Sequence, residues 1–214
     1  MKEVNIKKRR MLLLSGVLAS LLYICTDIIG GLSWGNYDFI SQFISELSAI
    51  DSPSRIFVVS FYIVHNILII TFALAIYKFA DDKHSLKITG LLLIAYAVAG
   101  VSGILFPMYP EESATAFPNL MHQIAIAMTV IVILLSLVFA AISLGIRFRI
   151  FSFGIILVYL GLGAIPFLGA NQVEIGESAP WVGLVERIMV YGYMVWLTVL
   201  AILLLKRTNK QISS

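Results

Sequence analysis

The chain has 214 residues, 60% of them hydrophobic and only 13% charged, with a mean hydropathy of +0.96. A water-soluble domain needs more charge than this to cover its surface, so the composition indicates an integral membrane protein. The net charge of +3 does not point to nucleic acid, because the basic residues flank apolar runs instead of forming one patch, and the single cysteine, Cys25, excludes an intrachain disulfide.

Crossing about 30 Å of hydrocarbon takes about 20 apolar residues. The first such run is Met11–Gly31, preceded by Lys7, Lys8, Arg9 and Arg10. It is too long for a signal-peptide core and lacks a small-x-small cleavage site, so it reads as a retained first helix. Ser20, Tyr23 and Asp27 share one face of it. Next, Phe39, Ile40, Phe43, Ile44 and Leu47 recur at helical spacing among Ser41, Gln42, Ser45, Glu46 and Ser48. This predicts a short amphipathic interfacial helix over about 38–49, with Trp34 and Tyr37 in the aromatic belt. Such a helix serves as a surface anchor or as a lid that turns Glu46 inward.

The second span, Pro53–Tyr77, carries His65 and Asn66, and a hydrogen-bonded core histidine is the reading for His65. The third, Leu86–Phe106, has Ala95, Ala99 and Gly103 at a spacing that lets helices approach closely. A loop with three prolines, Glu111 and Glu112 leads to the fourth span, Pro118–Leu144. There His122, Ala125, Thr129, Ser136, Ala140 and Ser143 form a small, polar stripe. The fifth, Ile150–Leu168, has Gly154 and Gly161 a heptad apart. After a polar loop with Glu174 and Glu177, the sixth span, Pro180–Leu205, carries Glu186 and Arg187 side by side. The expectation is an all-α membrane protein, one six-helix domain over 1–214. Pro53, Pro118 and Pro180 sit in first turns, where a missing N–H costs nothing, with Ser52 and Ser178 as nearby caps.

Every basic residue except Arg55 and Arg187 falls on the side of the two termini and the 2–3 and 4–5 loops. The positive-inside rule makes that side cytoplasmic. This predicts a multi-pass protein of a prokaryotic plasma membrane with both termini inside. Most acids gather at the other, outer side.

Ionisable residues inside spans mark functional sites by default. At 1.5 Å per residue, Asp27 and His122 lie about 6 Å, and Glu186 and Arg187 about 9 Å, below their outer helix ends, so they could share one layer. Two readings stand about level. One is an ion-pair network fixing helix 6 against helices 1 and 4. The other is a polar pocket open outward, in which His122, Glu186 and Glu46 are candidate catalytic groups. Arg187, Asp27 and Asn119 are its candidate ligand-binding groups, with Arg187 on an anionic group. No His-x-x-x-His or His-Glu-x-x-His occurs, so neither a metal nor another cofactor is expected.

Ser41-Gln42, then Ile44-Ser45-Glu46-Leu47 ahead of Ser52-Pro53, Phe106-Pro107, His122 and Glu186-Arg187 appear in that order. In this they resemble the prokaryotic six-helix membrane proteins catalogued as domain of unknown function 998, over nearly the whole chain. In that family a glycine usually follows the Ser-Glu-Leu piece and an acid follows Phe-Pro. Here Ser48 and Tyr109 stand at those places, which leaves Glu111 or Glu112 to take the acid's part. The resemblance implies six helices and a membrane location, and no activity.

Three functions fit. The first is an outward-facing site for a lipid headgroup or small amphiphile, with at most a lipid-modifying or hydrolytic activity. The second is a non-catalytic assembly or signalling protein with structural charges. The third is a small-molecule transporter, ranked lower because the inner halves of the spans are nearly all apolar.

Overall fold

Six helices form where the chain is apolar: α1 (Lys2–Leu32), α2 (Arg55–Lys78), α3 (His84–Leu105), α4 (Ala116–Ser143), α5 (Ile146–Leu162) and α6 (Val182–Lys210). The computed structural model describes residues 2–80, 83–108, 116–166, 168–169 and 179–210, without the side chains of 2–5, 116, 118 and 210. Tyr109, Glu111, Glu112, Glu174, Glu177 and Ser178 lie outside the described residues. Each helix contains a stretch of 21 to 28 residues apolar enough to span a bilayer, and no strand occurs among the described residues. The chain is a multi-pass membrane protein.

Helix limits follow local chemistry. α1 and α6 run past the apolar stretches to Lys2 and Lys210, because Lys, Arg and Glu are good helix formers in water. Pro166 has no N–H for the Leu162 carbonyl, and the regular part of α5 stops there, with a turn at Gly163. Pro53 and Pro180 stand just before α2 and α6, and Pro118 lies in the first turn of α4. Ser52 does not cap α2; its hydroxyl instead meets Leu47 O and Ser54 Oγ.

Each helix packs against the next in chain order, and α6 returns to α1, so the six close into a ring. Trp196, Tyr193, Phe72, Leu93, Leu137 and Leu197 are fully buried inside it, while Leu18, Leu21, Ile67, Leu91, Leu157 and Leu160 are exposed around it, as lipid-facing residues would be. Hydroxyls within the helices bond the preceding turn, as Ser20 does to Gly16 O and Thr26 to Leu22 O. Polar bonds also cross between helices. Ser136 meets Tyr193 at 3.0 Å, and Trp196 Nε1 donates to Ser152 Oγ at 2.9 Å.

At the end carrying the basic residues, cations cover carbonyls left open where helices stop. Lys83 and Arg207 both donate to Ser143 O, Arg149 to Ala141 O and Arg9 to Phe79 O. The close helix contacts are made by different glycines from those the spacing singled out. A methyl added at Gly103, Gly154 or Gly161 would meet nothing within 4 Å, whereas Gly90 lies against Ala73 O and Tyr77, and Gly100 against Asn66. Small-residue spacing shows where approach is possible, and the burial of Leu93 and Ala97 shows which face of α3 is used.

The segment between α1 and α2 corrects the expectation of an amphipathic helix over about 38–49. Only Ile44–Ser48 is helical, as five residues of 3-10 helix. Its apolar side chains face the protein: Phe43, Ile44 and Leu47 are buried. The physical reason is that several of its backbone groups are engaged by side chains, which interrupts a continuous helical ladder. Glu46 takes the Phe43 N–H, Glu186 takes the Ile44 N–H, and Arg187 takes the Phe39 and Gln42 carbonyls. The segment is a cap on the helix ends.

Candidate functional site

The centre of the loop-bearing end is a buried ion pair. Arg187 on α6 binds Asp27 on α1 through two parallel bonds, Nε to Oδ2 at 3.0 Å and Nη2 to Oδ1 at 2.9 Å. Nη2 also donates to the Tyr37 hydroxyl at 2.5 Å. Nη1 reaches three carbonyls, Phe39 at 2.8 Å and Gln42 and Gly183 at 3.1 Å. A guanidinium has five N–H groups, and all five are engaged here. Asp27 is 0% exposed and takes a further, short bond from the Tyr191 hydroxyl. Two charges buried this deep are stable only when geometry and extra hydrogen bonds are this complete.

The cap sits on that pair. Phe39 and Tyr37 place their rings 4.9 and 5.4 Å from the Arg187 guanidinium carbon. Burial raises the Tyr37 hydroxyl above its usual range, although Arg187 donates to it, so it keeps its proton and donates to Phe43 O at 2.7 Å. Leu184 N–H, open at the start of α6, donates to Ile40 O. This approach requires Gly183, where a Cβ would run into the Gln42 and Phe39 carbonyls.

Glu186 points away from Arg187. Its Oε2 accepts the Ile44 N–H at 2.7 Å, and Oε1 takes no hydrogen bond among the described residues. Glu46 serves its own loop, accepting from Gln42 Nε2 at 2.7 Å and Phe43 N at 2.8 Å; burial raises its pKa, and these two bonds oppose the rise. Asp38 is held the other way, its pKa lowered by the Ser41 hydroxyl and the Ile40 N–H.

His122 stands apart from the ion pair. Its Nδ1 lies 2.7 Å from Phe106 O at the end of α3. The residues just beyond, up to Met108, touch the cap through Ile50 N and Ser45 Oγ. His65 is deeper, Nδ1 at 3.0 Å from Ala19 O. A carbonyl can only accept, so Nδ1 carries the proton in both rings and Nε2 presents a lone pair. Both Nε2 atoms are buried with no hydrogen-bond partner among the described residues. Asn119 is one turn before His122, half-buried on α4.

Of the sequence candidates, the structure therefore joins Asp27, Arg187, Glu186 and Glu46 through the cap, and sets His122 against α3. Sequence reasoning named Tyr23 and Tyr37 but gave the other tyrosines no part. Tyr62, Tyr23, His65, Tyr96, Tyr193 and Trp196 form a continuous aromatic path, each ring centroid 5.0 to 6.2 Å from the next. The hydroxyls of Tyr62 and Tyr159 are buried without a hydrogen bond among the described residues. A signal was present: Tyr23, Tyr37, Tyr62, Tyr96, Tyr159, Tyr191 and Tyr193 all fall in or beside the loop-end halves of spans.

This arrangement of six spans, a capped Glu-Arg pair on the last and a histidine early in the fourth extends across nearly the whole chain. The family described as protein of unknown function (DUF998) matches residues 17–203. The chain belongs to the DUF998 family. No curated protein and no solved structure matches it. Membership of DUF998 brings no assigned reaction, so chemistry has to come from the residues. Among those described, no three of His, Cys, Asp and Glu gather as a metal site would need. A groove of about 550 Å³ opens between α5 and α6 at the basic end, lined by Phe148, Phe151, Val195, Val199 and Leu203 with Arg147. Its walls are apolar and hold no group that this DUF998 chain could use for acid-base work.

Proposed function

We propose that this protein is a binding protein of a prokaryotic plasma membrane, with both termini cytoplasmic. In this reading it holds a small amphiphile or lipid headgroup inside the outer half of the helix ring, beneath the 37–48 cap. One observation carries the reading. The Tyr62 and Tyr159 hydroxyls and the Nε2 atoms of His65 and His122 are buried without a protein partner among the described residues. Each such atom costs about 1–3 kcal/mol unless something polar completes it, and a membrane interior has no bulk water to do so. Glu186 adds a carboxylate oxygen without a hydrogen bond among the described residues. No catalytic step is assigned, because neither histidine contacts a nucleophile in the described residues.

In this reading Asp27 and Arg187 position the cap, and the ligand contacts fall to Glu186, the tyrosines and the histidines. Asn119 and Glu46 border the entrance. Native mass spectrometry of the protein released from lipid nanodiscs tests this. Wild type is expected to retain a bound small molecule or lipid that Tyr159→Phe and His65→Phe lose. Retention of nothing by wild type, or of the same species by all three, rejects it.

A second reading is favoured by the complete engagement of Arg187: a structural or assembly protein whose charges only hold the ring closed. Under it, Glu186→Gln changes no ligand retention. The transporter reading ranks third, since the basic-end halves of the spans present few polar side chains. Substrate uptake by proteoliposomes that His122→Ala abolishes would raise it.

A further inference from the structure

We infer that the groove between α5 and α6 at the basic end seats an anionic phospholipid, with one acyl chain along its apolar walls and the phosphate on Arg147. This goes beyond the binding reading above, which concerns the opposite end of the ring. The groove exists because α5 is the span least covered by its neighbours: 17% of its apolar stretch is buried, against 28 to 44% for the other five. On α6, Val195, Val199 and Leu203 recur four apart and line one wall, and Phe148 and Phe151 of α5 line the other. Eight residues of α6 at 1.5 Å each make about 12 Å, most of the depth of one leaflet's hydrocarbon. The volume of about 550 Å³ is that of a small-ligand site. Its floor is fixed before anything enters. Phe148 is 4% exposed and stacks on Trp196 at 5.7 Å, and Trp196 in turn is held by Ser152. A chain laid on a floor already ordered costs less to bind.

Charge decides which lipid fits. Arg147 lines the groove where α5 begins, is exposed, and makes no hydrogen bond or ion pair among the described residues. Lys83 and Arg207 converge on Ser143 O, two residues before Gly145 at the edge of the groove, so further positive charge stands at the same turn. The sequence has no acid between Glu112 and Glu174, and none after Glu186. Both helices of the groove therefore bring only cations to this mouth. A guanidinium over an apolar trough matches a phosphate over an acyl chain. Basic pockets between membrane helices recognise anionic headgroups in this way. A second copy of the chain fits worse, because its own basic end would set guanidinium against guanidinium. A zwitterionic headgroup fits worse too, since it brings a cation to a place that already holds several.

Trp196, behind the floor, reports on the groove. Trp34 and Trp181 lie at the other end and are replaced by phenylalanine, which leaves Trp196 as the fluorophore. The protein is placed in nanodiscs with increasing fractions of dibrominated phosphatidylglycerol or dibrominated phosphatidylcholine, whose bromines quench a nearby tryptophan. Quenching should show an affinity about fivefold higher for phosphatidylglycerol, which is what one basic side chain near a membrane surface supplies. Arg147→Gln should bring that ratio near one. Lys87→Gln, a charge removed from the same end on α3, should leave it. Val199→Phe fills the groove and should lower quenching by both lipids; should it fail to fold, Val195→Phe on the exposed rim makes the same test. Equal quenching by the two lipids overturns the inference, as does a ratio that Lys87→Gln lowers as far as Arg147→Gln. Quenching that survives the filled groove overturns it, and so does an absence of quenching in the unfilled one. A dibrominated fatty acid that matches phosphatidylglycerol would show the phosphate to be dispensable and would overturn the phospholipid as occupant.

Discussion

Glu186 and Arg187 are adjacent in the chain and grip the same loop by opposite chemistry. Arg187 donates to the Phe39 and Gln42 carbonyls, and Glu186 accepts the Ile44 N–H. One turn of α6 thus supplies both donor and acceptor to a segment with only a short 3-10 helix of its own. The pair is divided between two tasks: Arg187 is closed on every N–H, and Glu186 keeps one oxygen without a hydrogen bond among the described residues.

Removing either member of the Asp27–Arg187 pair leaves a buried charge uncompensated. Arg187→Met and Asp27→Leu should each lower stability by about 3–5 kcal/mol, read as melting temperature in detergent. The double variant should recover part of the loss, and a coupling near zero would show that the pair does not act as one unit.

Arg187→Lys keeps the charge but not the planar fork. It loses the two-bond contact with Asp27 and cannot reach all three carbonyls, so it should behave more like Arg187→Met than like wild type. Wild-type stability in the lysine variant would mean that charge alone suffices.

Gly183→Ala places a methyl where the Gln42 carbonyl stands. The loop has to lift, and a loss of about 1–3 kcal/mol is expected. Hydrogen exchange of the Ile44 and Leu184 amides should accelerate, since both bond across this contact. Unchanged exchange would place the loop elsewhere.

Tyr37→Phe deletes a hydroxyl that accepts from Arg187 and donates to Phe43 O. About 1–3 kcal/mol should be lost, because an Arg187 N–H is left open in a buried place and Phe43 O keeps only the Glu46 N–H. The same assay with Trp34 fluorescence, 5.4 Å away, would report it locally.

The cap should also respond to pH. Glu46 has its pKa raised above 4.5 by burial, so between the two values the folded protein binds more protons than the unfolded. Its contribution therefore becomes more favourable as pH falls through the raised value, and is complete below 4.5. Asp38 has its pKa lowered below 3.8, so its contribution is present above 3.8 and is lost as pH falls through the lowered value. The cap should be firmest near about pH 4. Melting followed by Trp34 fluorescence from about pH 3 to 7 should show this, and Glu46→Gln should flatten the neutral side. A neutral side that stays steep in the variant would assign it to another group.

The helices were legible because twenty apolar residues between charged flanks have few alternatives in a membrane. The layer of charge was legible in part, since Asp27 and Arg187 meet as their depths and scarcity of partners required. The 38–49 segment was not. Its helical spacing is real, but that pattern also fits a coil whose apolar residues fill gaps between helix ends, and hydrogen bonds from residues more than a hundred positions away decided between the two. Apart from Tyr23 and Tyr37, the tyrosines were missed because a phenol counts as apolar in a hydropathy reading. Only the packed ring shows which hydroxyls lack a partner.

The Asp27–Arg187 contact joins residues 160 positions apart, on the first helix and the last. During synthesis Asp27 enters the membrane long before its counter-charge exists. Until α6 arrives, the cap has neither the Arg187 donors nor the Glu186 acceptor, and the ring has no seam. A chain stopped before residue 187 therefore carries an unmatched acid and a loop without its Arg187 bonds. The last helix is therefore the element that completes both the charge pair and the cap.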